Sequence, residues 1–158
     1  MQFELVDVFT SAPYAGNGLC VFPDAAGLDA RQMARITAEL KQFESIFLEP
    51  TATQDRWRAR IFDLFSELDF AGHPLLGAAC VLHDHHGGDD VVRHWSFELA
   101  SGAVTVETSR RGAGRYRAVL PQLVARFPTE TLDVSRDEVA GWFALKAEHS
   151  TRRCRWRW

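Results

Sequence analysis

The sequence predicts an α+β fold in which a curved, mixed and barrel-like β-sheet surrounds one buried helix. Most of its apolar segments are short, and their alternating or continuous patterns are typical of strands, whereas two or three segments have helical periodicity. The strands follow one another too closely for regular βαβ units. Residues 73–83 are apolar on all sides, which is typical of a helix that is enclosed by protein.

The composition is that of a globular protein. With 158 residues, of which 46% are hydrophobic and 25% charged, the chain can bury a core of its own. A net charge of -3 predicts no general attraction to nucleic acid or to anionic membranes. We find no signal-peptide pattern and no apolar stretch of membrane-spanning length, so we expect a cytoplasmic protein.

The first elements are two strands and a helix. The alternating segment Phe3–Phe9 predicts a strand, the turn-rich "SAPYAGNG" predicts a loop, and "LCVFP" predicts a buried strand that ends at Pro23. "LDARQMARITAEL" predicts an amphipathic helix with Asp29 as its N-cap. The face of this helix that we expect to be buried carries Met33, Ile36, Thr37 and Leu40.

The next elements lie on either side of the predicted buried helix. "FESIFLE" predicts a strand with Glu44, Ile46 and Leu48 on one side, and "RWRARIFDLF" at 56–65 predicts another. The segment "DHHGGDD" at 84–90, after the buried helix, predicts a loop.

Three further strands and a last helix complete the predicted elements. "HWSFELASGAVTVETS" predicts two strands that meet at Ser101 and Gly102, and "GRYRAVLPQ" predicts one more. The last helix is predicted at Val134–Leu145, where Ser135 and Glu138 have the spacing of a capping box.

The segment "DFAGHPLLGAAC" at 69–80 places a polar corner before the apolar helix. Pro74 suits the first helical position, because its missing N–H would be unpaired there. Gly72 and His73 then lie at the positive end of the helix, where free N–H groups attract a carboxylate or a phosphate. The alternative is that Gly72 only forms a turn and His73 only caps the helix.

Glu44 is the second unusual residue, because it lies among apolar neighbours within a predicted strand. Burial disfavours the charged carboxylate and raises its pKa, and a raised pKa suits a general acid/base near neutral pH. The alternative is a structural ion pair between Glu44 and an arginine such as Arg58 or Arg60.

Two other groups of residues are candidates for binding. "HDHHGG" at 83–88 holds three histidines and an aspartate, but its spacing is not that of a closed metal site, so we favour a solvated loop. The tail "STRRCRWRW" carries four arginines and no acid, and arginine and tryptophan can stack on nucleic-acid bases. Without other basic surface to support it, binding of nucleic acid by this tail remains the weaker alternative.

Several motifs together resemble the PhzF family of phenazine-biosynthesis-like isomerases, which have the diaminopimelate epimerase fold. The segments that match are "VDVFTSAPYAGNGLCVFPDAAGLDARQMARITAELKQFESIFLEP" and "RIFDLFSELDFAGHPLLGAA", and "ASGAVTVE" fits the hairpin that follows in the family. The resemblance covers about the first 80 residues in order. It implies that the chain forms one lobe of that fold.

The resemblance implies roles for three residues. Glu44 matches the catalytic glutamate of the family, which would remove a proton from one substrate carbon and return it at another position. Gly72 and His73 match the Gly-His pair at the anion-binding helix. His73 would also act in catalysis by orienting the substrate.

The resemblance also implies the rest of the site and the activity. Gly16 and Asn17 match the loop on the substrate-facing side, and Ser45 is expected among the substrate-binding residues. The implied reaction is isomerisation of a small cyclic amino or carboxylic acid, as in phenazine assembly or other secondary metabolism. No metal and no organic cofactor is implied.

The residues argue against an epimerase that uses two thiols, because that chemistry needs a base on each face of the carbon. Epimerases of this fold carry cysteines before the two glycine corners, where this chain has Ala15 and Ala71. Cys20 and Cys80 fall in a predicted strand and in the buried helix, so we expect inert core thiols.

Family members have two similar lobes with the active site between them, and this sequence resembles one of them. We expect the first lobe at 1–125, a linker and the first helix of an incomplete second lobe at 126–145, and a tail unlike the family at 146–158. A frame change or an early stop would explain the tail. A homodimer or a separately encoded second lobe would complete the cleft. The alternative function is that of a non-catalytic remnant, or of a module that binds small carboxylates.

Overall fold

The computed structural model describes residues 2–121 and 135–142. The chain divides into two compact units, Met1–Gln122 and Leu123–Trp158. In the second unit the described part is a short helix, α3 (Arg136–Trp142), which Ser135 and Glu138 cap reciprocally. This helix lies within the range predicted for the last helix, where Ser135 precedes it as its cap, and residues 134 and 143–145 of that range are outside the described part. The predicted boundaries at 125 and 145 stay predictions.

The first unit is built on one mixed sheet. Its strands in spatial order are β1 (Glu4–Val8), β2 (Asn17–Phe22), β3 (Glu44–Pro50), β4 (Arg56–Asp63), β6 (Val92–Leu99), β7 (Gly102–Gly112) and β8 (Arg115–Val119), and the short β5 (Glu67–Leu68) pairs with β4. The pairs β2–β3 and β4–β6 are parallel, and the others are antiparallel.

Two helices cover the two faces of this sheet. Helix α1 (Ala30–Leu40) packs with one face of strands β2, β3 and β4, and helix α2 (Gly72–His86) packs with the other. Helix α2 contacts β1, β2 and β3 at one end of the strand order and β6, β7 and β8 at the other. The sheet therefore curls around α2, and the predicted α+β fold with a mixed sheet around one buried helix is confirmed.

Small residues allow α2 to lie close to the sheet. Ala78 and Ala79 are fully buried. A β carbon added to Gly77 would lie 2.5 Å from Leu19 Cδ2 and 3.0 Å from Val8 Cγ2, closer than real β carbons approach. The absence of a side chain at this position therefore sets the spacing between the helix and strands β1 and β2.

The amphipathic helix follows its prediction closely. Asp29 caps α1, and Asp29 and Gln32 form a reciprocal capping box. Of the four residues expected on the buried face, Met33 and Thr37 are buried, and Ile36 and Leu40 pack beside them.

The structure corrects the predicted end of α2 and the predicted start of β2, and it adds the short strand β5. Helix α2 continues to His86, so the loop predicted at 84–90 is wrong for its first three residues. The extra turn is held by side chains, because His85 contacts Glu4 and the ring of His86 lies against Trp57. Strand β2 begins at Asn17 rather than after Gly18, because its first residues pair with β1. Strand β5 was not predicted, since two residues carry no periodicity.

Gly77→Ala should destabilise the first unit by about 1–3 kcal/mol, because the added methyl must displace buried side chains. Urea unfolding followed by circular dichroism measures this loss. Gly72→Ala is the matched control in the same helix, because a β carbon there meets no atom within 4 Å. Equal stability of the two variants would contradict the close approach of helix and sheet.

Candidate functional site

The structure brings Glu44 and His73 together. Glu44 is the first residue of β3 and His73 is the second residue of α2. Glu44 lies on the same face of the sheet as Ile46 and Leu48, which is the face that α2 covers. As a result, Glu44 Oε2 lies 3.3 Å from His73 Nδ1.

Both side chains are largely removed from solvent. The side chain of Glu44 is 11% exposed and that of His73 is 10% exposed. Burial raises the pKa of Glu44, and the nearby charge of Asp63 raises it further. Burial lowers the pKa of His73. Each group is thus shifted toward its neutral form.

Glu44 and His73 lie close together but do not hydrogen-bond to each other. Their contact does not have hydrogen-bond geometry, and within the described residues Glu44 Oε2 and His73 Nε2 are buried and make no hydrogen bond. Buried polar atoms in proteins are usually hydrogen-bonded, and exceptions are often functional. A carboxyl group and an imidazole in this arrangement can hold a proton and pass it to a bound molecule.

Within the described residues, the structure contradicts the alternative that Arg58 or Arg60 neutralises Glu44. Arg58 pairs with Glu49 at 3.2 Å, and Arg60 makes two hydrogen bonds of 2.7 Å to Glu67. Both arginines are therefore engaged by other carboxylates.

The start of α2 is open for an anion. Ala71, the residue at the N-cap, is extended and cannot cap with its side chain, and the first turn contains no acidic residue. Ala71 therefore supplies no side-chain acceptor to the first amides of the helix, and, apart from neighbouring residues and the helix backbone, no described atom lies within 4 Å of the β-carbon position of Gly72. A carboxylate bound here would lie next to His73.

Gly16 and Asn17 lie at the same end of the sheet. Asn17 is exposed and begins β2, two residues before Leu19, which is the register partner of Glu44. Alternation places Asn17 on the face that carries Glu44. A β carbon at Gly16 would lie 2.4 Å from the carbonyl oxygen of Val8, so this corner needs glycine.

Ser45 is placed differently from the expectation. Its side chain is fully buried and lies on the opposite face of the sheet, the face of Cys20 and Phe47. Successive residues of a strand point to opposite faces, so the hydroxyl of Ser45 cannot share a ligand with the carboxyl of Glu44. We therefore leave the Ser45 side chain out of the proposed site.

Sequence reasoning missed the neighbour of Glu44 and the rim around it. Asp63 is the register partner of Glu44 across β3 and β4, and a single strand pattern cannot reveal such a pairing. The chain segments next to the site also expose large apolar side chains, and the Phe9 ring centroid lies 6.5 Å from that of His73. These exposed residues are Phe9, Tyr14, Phe43, Leu64, Phe65 and Phe70.

The histidine cluster does not converge on a common point. His83 is buried and bonded to Thr108 and to the carbonyl oxygen of Asp90, while Asp84 bonds Tyr116 and His85 bonds Glu4. Within residues 2–121 and 135–142, no three histidine, cysteine, aspartate or glutamate side chains are grouped to hold a metal ion.

The thiols in the described ranges have raised pKa values. Burial raises the pKa of Cys20 and raises that of Cys80 to about 12. A thiol with such a pKa carries almost no thiolate at neutral pH and is a poor base or nucleophile.

A comparison with known families shows to which protein family the chain belongs. The family model for phenazine biosynthesis-like proteins, PhzC-PhzF, matches residues 6–155. The chain belongs to the PhzC-PhzF family. The trans-2,3-dihydro-3-hydroxyanthranilate isomerase of Pseudomonas chlororaphis is 35% identical over 134 residues, which are 84% of this chain and 46% of that protein.

Solved structures share the same fold. A predicted epimerase from Pseudomonas aeruginosa superposes with a TM-score of 0.83 at 45% identity, over 92% of this chain and 51% of that one. A PhzF-family protein of Bacillus anthracis superposes with a TM-score of 0.78 at 23% identity, over 92% of this chain and 48% of that one. The chain thus spans about half the length of these relatives.

None of the helices described is long and apolar enough to cross a membrane.

Glu44→Gln should increase the free energy of unfolding at neutral pH. The raised pKa means that the native carboxyl binds more protons than the unfolded one, so ionisation of Glu44 weakens the fold as the pH rises above the unfolded value of 4.5. Urea unfolding between pH 4 and pH 8 measures the effect. The increase in the free energy of unfolding should shrink as the pH falls and vanish below pH 4.5.

Glu4→Gln is the matched control, because Glu4 contacts His85 in a second, more exposed glutamate–histidine pair. It should give no comparable gain at neutral pH. A Glu44→Gln variant less stable than the native chain at pH 7 would contradict the assigned direction of the pKa shift.

Proposed function

We propose that this chain supplies the acid/base half of an isomerase that moves a proton on a small cyclic amino or carboxylic acid. The observation that carries the proposal is the buried contact of 3.3 Å between Glu44 and His73 at the open start of helix α2. A proton acceptor and an anion-binding corner lie side by side there.

The proposed reaction needs only proton transfers. The substrate carboxylate is held by the first amides of α2, at Gly72 and His73, where the helix dipole favours negative charge. Glu44, as carboxylate, takes a proton from one carbon and, as carboxylic acid, returns it to another carbon of the same molecule. The pair of electrons released at the first carbon shifts through the ring, so no oxidant or reductant is required.

The pKa directions suit these roles. A raised pKa makes the Glu44 carboxylate a better proton acceptor near neutral pH than an exposed glutamate. A lowered pKa keeps His73 neutral, so that the imidazole can donate one hydrogen bond and accept another. Asn17, exposed on the same face, is placed to contact the substrate with its amide.

The relatives support the reaction class. Two of them, from Pseudomonas chlororaphis and Pseudomonas fluorescens, are trans-2,3-dihydro-3-hydroxyanthranilate isomerases. A substrate of this class carries a carboxylate for the helix start and a ring carbon whose proton can be removed. We propose a role in phenazine-like secondary metabolism in the cytoplasm on this basis.

We further propose that a second protein body completes the site. The chain spans about half of its relatives' length, and the rim of the site exposes apolar side chains such as Phe65, which is 90% exposed. A homodimer or a separately encoded lobe would cover this rim and exclude water. Sedimentation of the chain at several concentrations distinguishes these partners, because only self-association depends on the concentration of this chain alone.

The uncapped start of helix α2 favours one second candidate function, the binding of small carboxylates without turnover. The open helix start is sufficient for binding, whereas turnover also requires a closed, water-free site. The two functions differ in whether a bound ligand exchanges carbon-bound hydrogen with solvent.

Glu44→Gln should abolish exchange while retaining binding. We expect the native chain to incorporate deuterium from D2O into trans-2,3-dihydro-3-hydroxyanthranilate, measured by NMR, and the variant to be slower by about 10²-fold or more. The glutamine keeps the shape and removes the proton acceptor. Glu4→Gln, in the surface pair with His85, is the matched control and should exchange at the native rate.

The outcomes separate the two functions. Binding without deuterium incorporation by the native chain, including at concentrations where it self-associates, would favour the carboxylate-binding module. Exchange that survives Glu44→Gln would refute the role of this carboxylate.

A further inference from the structure

Asp63 lies opposite the proposed base. It is the last residue of β4, and its register partner in the antiparallel strand β3 is Glu44. Directly opposed residues of antiparallel strands point to the same face, with β carbons about 5 Å apart. Asp63 therefore faces the same side of the sheet as the Glu44 carboxyl.

The carboxylate of Asp63 is fixed by its own turn. Asp63 Oδ1 accepts hydrogen bonds from the backbone amides of Phe65 at 2.7 Å and Ser66 at 2.6 Å. In the same turn, the backbone amide of Asp63 donates a hydrogen bond of 3.0 Å to the carbonyl oxygen of Ser66. The two amides bound to Oδ1 restrain the carboxylate, and the backbone bond holds the turn that presents them.

No described cation offsets this charge. In the part of the chain that the structure describes, Asp63 has no salt bridge, and the nearest arginine along β4, Arg60, is engaged by Glu67. A negative charge that is fixed by amides and lacks a cationic partner acts on the ionisable group beside it.

The other elements around Glu44 contribute little charge. Strand β2 presents the apolar Leu19 as the register partner of Glu44, and Cys20 points to the opposite face. Helix α2 presents His73, whose lowered pKa keeps it neutral. Helix α1 packs on the opposite face of the sheet. Among the residues that the structure describes, Asp63 is therefore the charged group that faces Glu44 from a neighbouring element.

We propose that Asp63 is a positioning residue whose fixed negative charge makes Glu44 a stronger proton acceptor. The inference rests on the proposed function of Glu44 and deepens it. Two negative charges on facing strands repel, so a proton on Glu44 is stabilised by relief of that repulsion. Burial is the larger cause of the raised pKa of Glu44 and Asp63 the second, so the carboxyl keeps part of its shift when Asp63 is neutral.

Asp63→Asn tests this role, because the amide oxygen can still accept the two turn hydrogen bonds while the charge is gone. Glu44 is titrated by carbon-detected NMR of its side-chain carboxyl carbon in the full chain, without substrate. We expect the pKa of Glu44 to fall in the variant and to remain above the ordinary value for a glutamate. The amide signals of Phe65 and Ser66 report whether the turn is retained.

Asp24→Asn is the matched control. Asp24 also accepts a backbone amide in an exposed turn, from Ala26 at 3.3 Å, and it follows the end of β2 that is distant from Glu44. Its replacement removes the same charge and should leave the Glu44 titration unchanged. If Asp63→Asn does not fold, Asp63→Ser makes the same comparison, because its hydroxyl can accept a turn amide.

The pH dependence of the exchange rate is a second test of the role of Asp63. If the chain exchanges deuterium as proposed, Asp63→Asn should move the acidic limb of the pH–rate profile to lower pH and reduce the rate on the plateau, because a weaker base remains. A purely structural role would lower the rate without moving the limb.

Failure of the role of Asp63 and failure of the proposed isomerase function give different results. An unchanged pKa of Glu44 in a folded Asp63→Asn variant overturns the role of Asp63, whatever the activity. A lowered pKa together with no exchange by the native chain supports the electrostatic role of Asp63 and counts against the proposed isomerase instead.

Discussion

The enclosure of helix α2 by the curled sheet is the constraint on which the rest of the structure depends. The helix is apolar on nearly every side, so it is stable only when strands from both ends of the sheet surround it. Gly77 lets it lie against β1 and β2. With the helix enclosed, its first turn lies beside the start of β3, and Glu44 and His73 meet there as a consequence of core packing.

The same packing explains why the two groups titrate in opposite directions. Removal from water disfavours the charged form of either group, which for a carboxyl means a higher pKa and for an imidazole a lower one. Both groups are therefore less readily charged than they are in water. A carboxyl with a raised pKa beside a neutral imidazole can exchange a proton with a bound molecule while the imidazole donates or accepts a hydrogen bond.

Much of the fold could be predicted from the sequence because the signals are local. The cap at Asp29, the apolar helix after Pro74 and the alternation in β3 each depend on residues close together in the chain. Relations between strands have no such signal, so the opposition of Glu44 and Asp63 emerged only in three dimensions. The placement of Ser45 also emerged only in three dimensions, because a strand turns successive side chains to opposite faces and its hydroxyl lies on the face away from Glu44.

The exposed rim links the fold to the proposed chemistry. Phe9 is exposed with its ring centroid 6.5 Å from that of His73, and Phe65, two residues after Asp63, is also exposed. Exposed apolar side chains next to a binding corner favour coverage by another protein surface. Coverage would remove the remaining water from Glu44 and His73. Because burial is the leading cause of both pKa shifts, closing the site would increase each shift in its present direction. A protein surface that covered the site, as proposed, would then also strengthen Glu44 as a base.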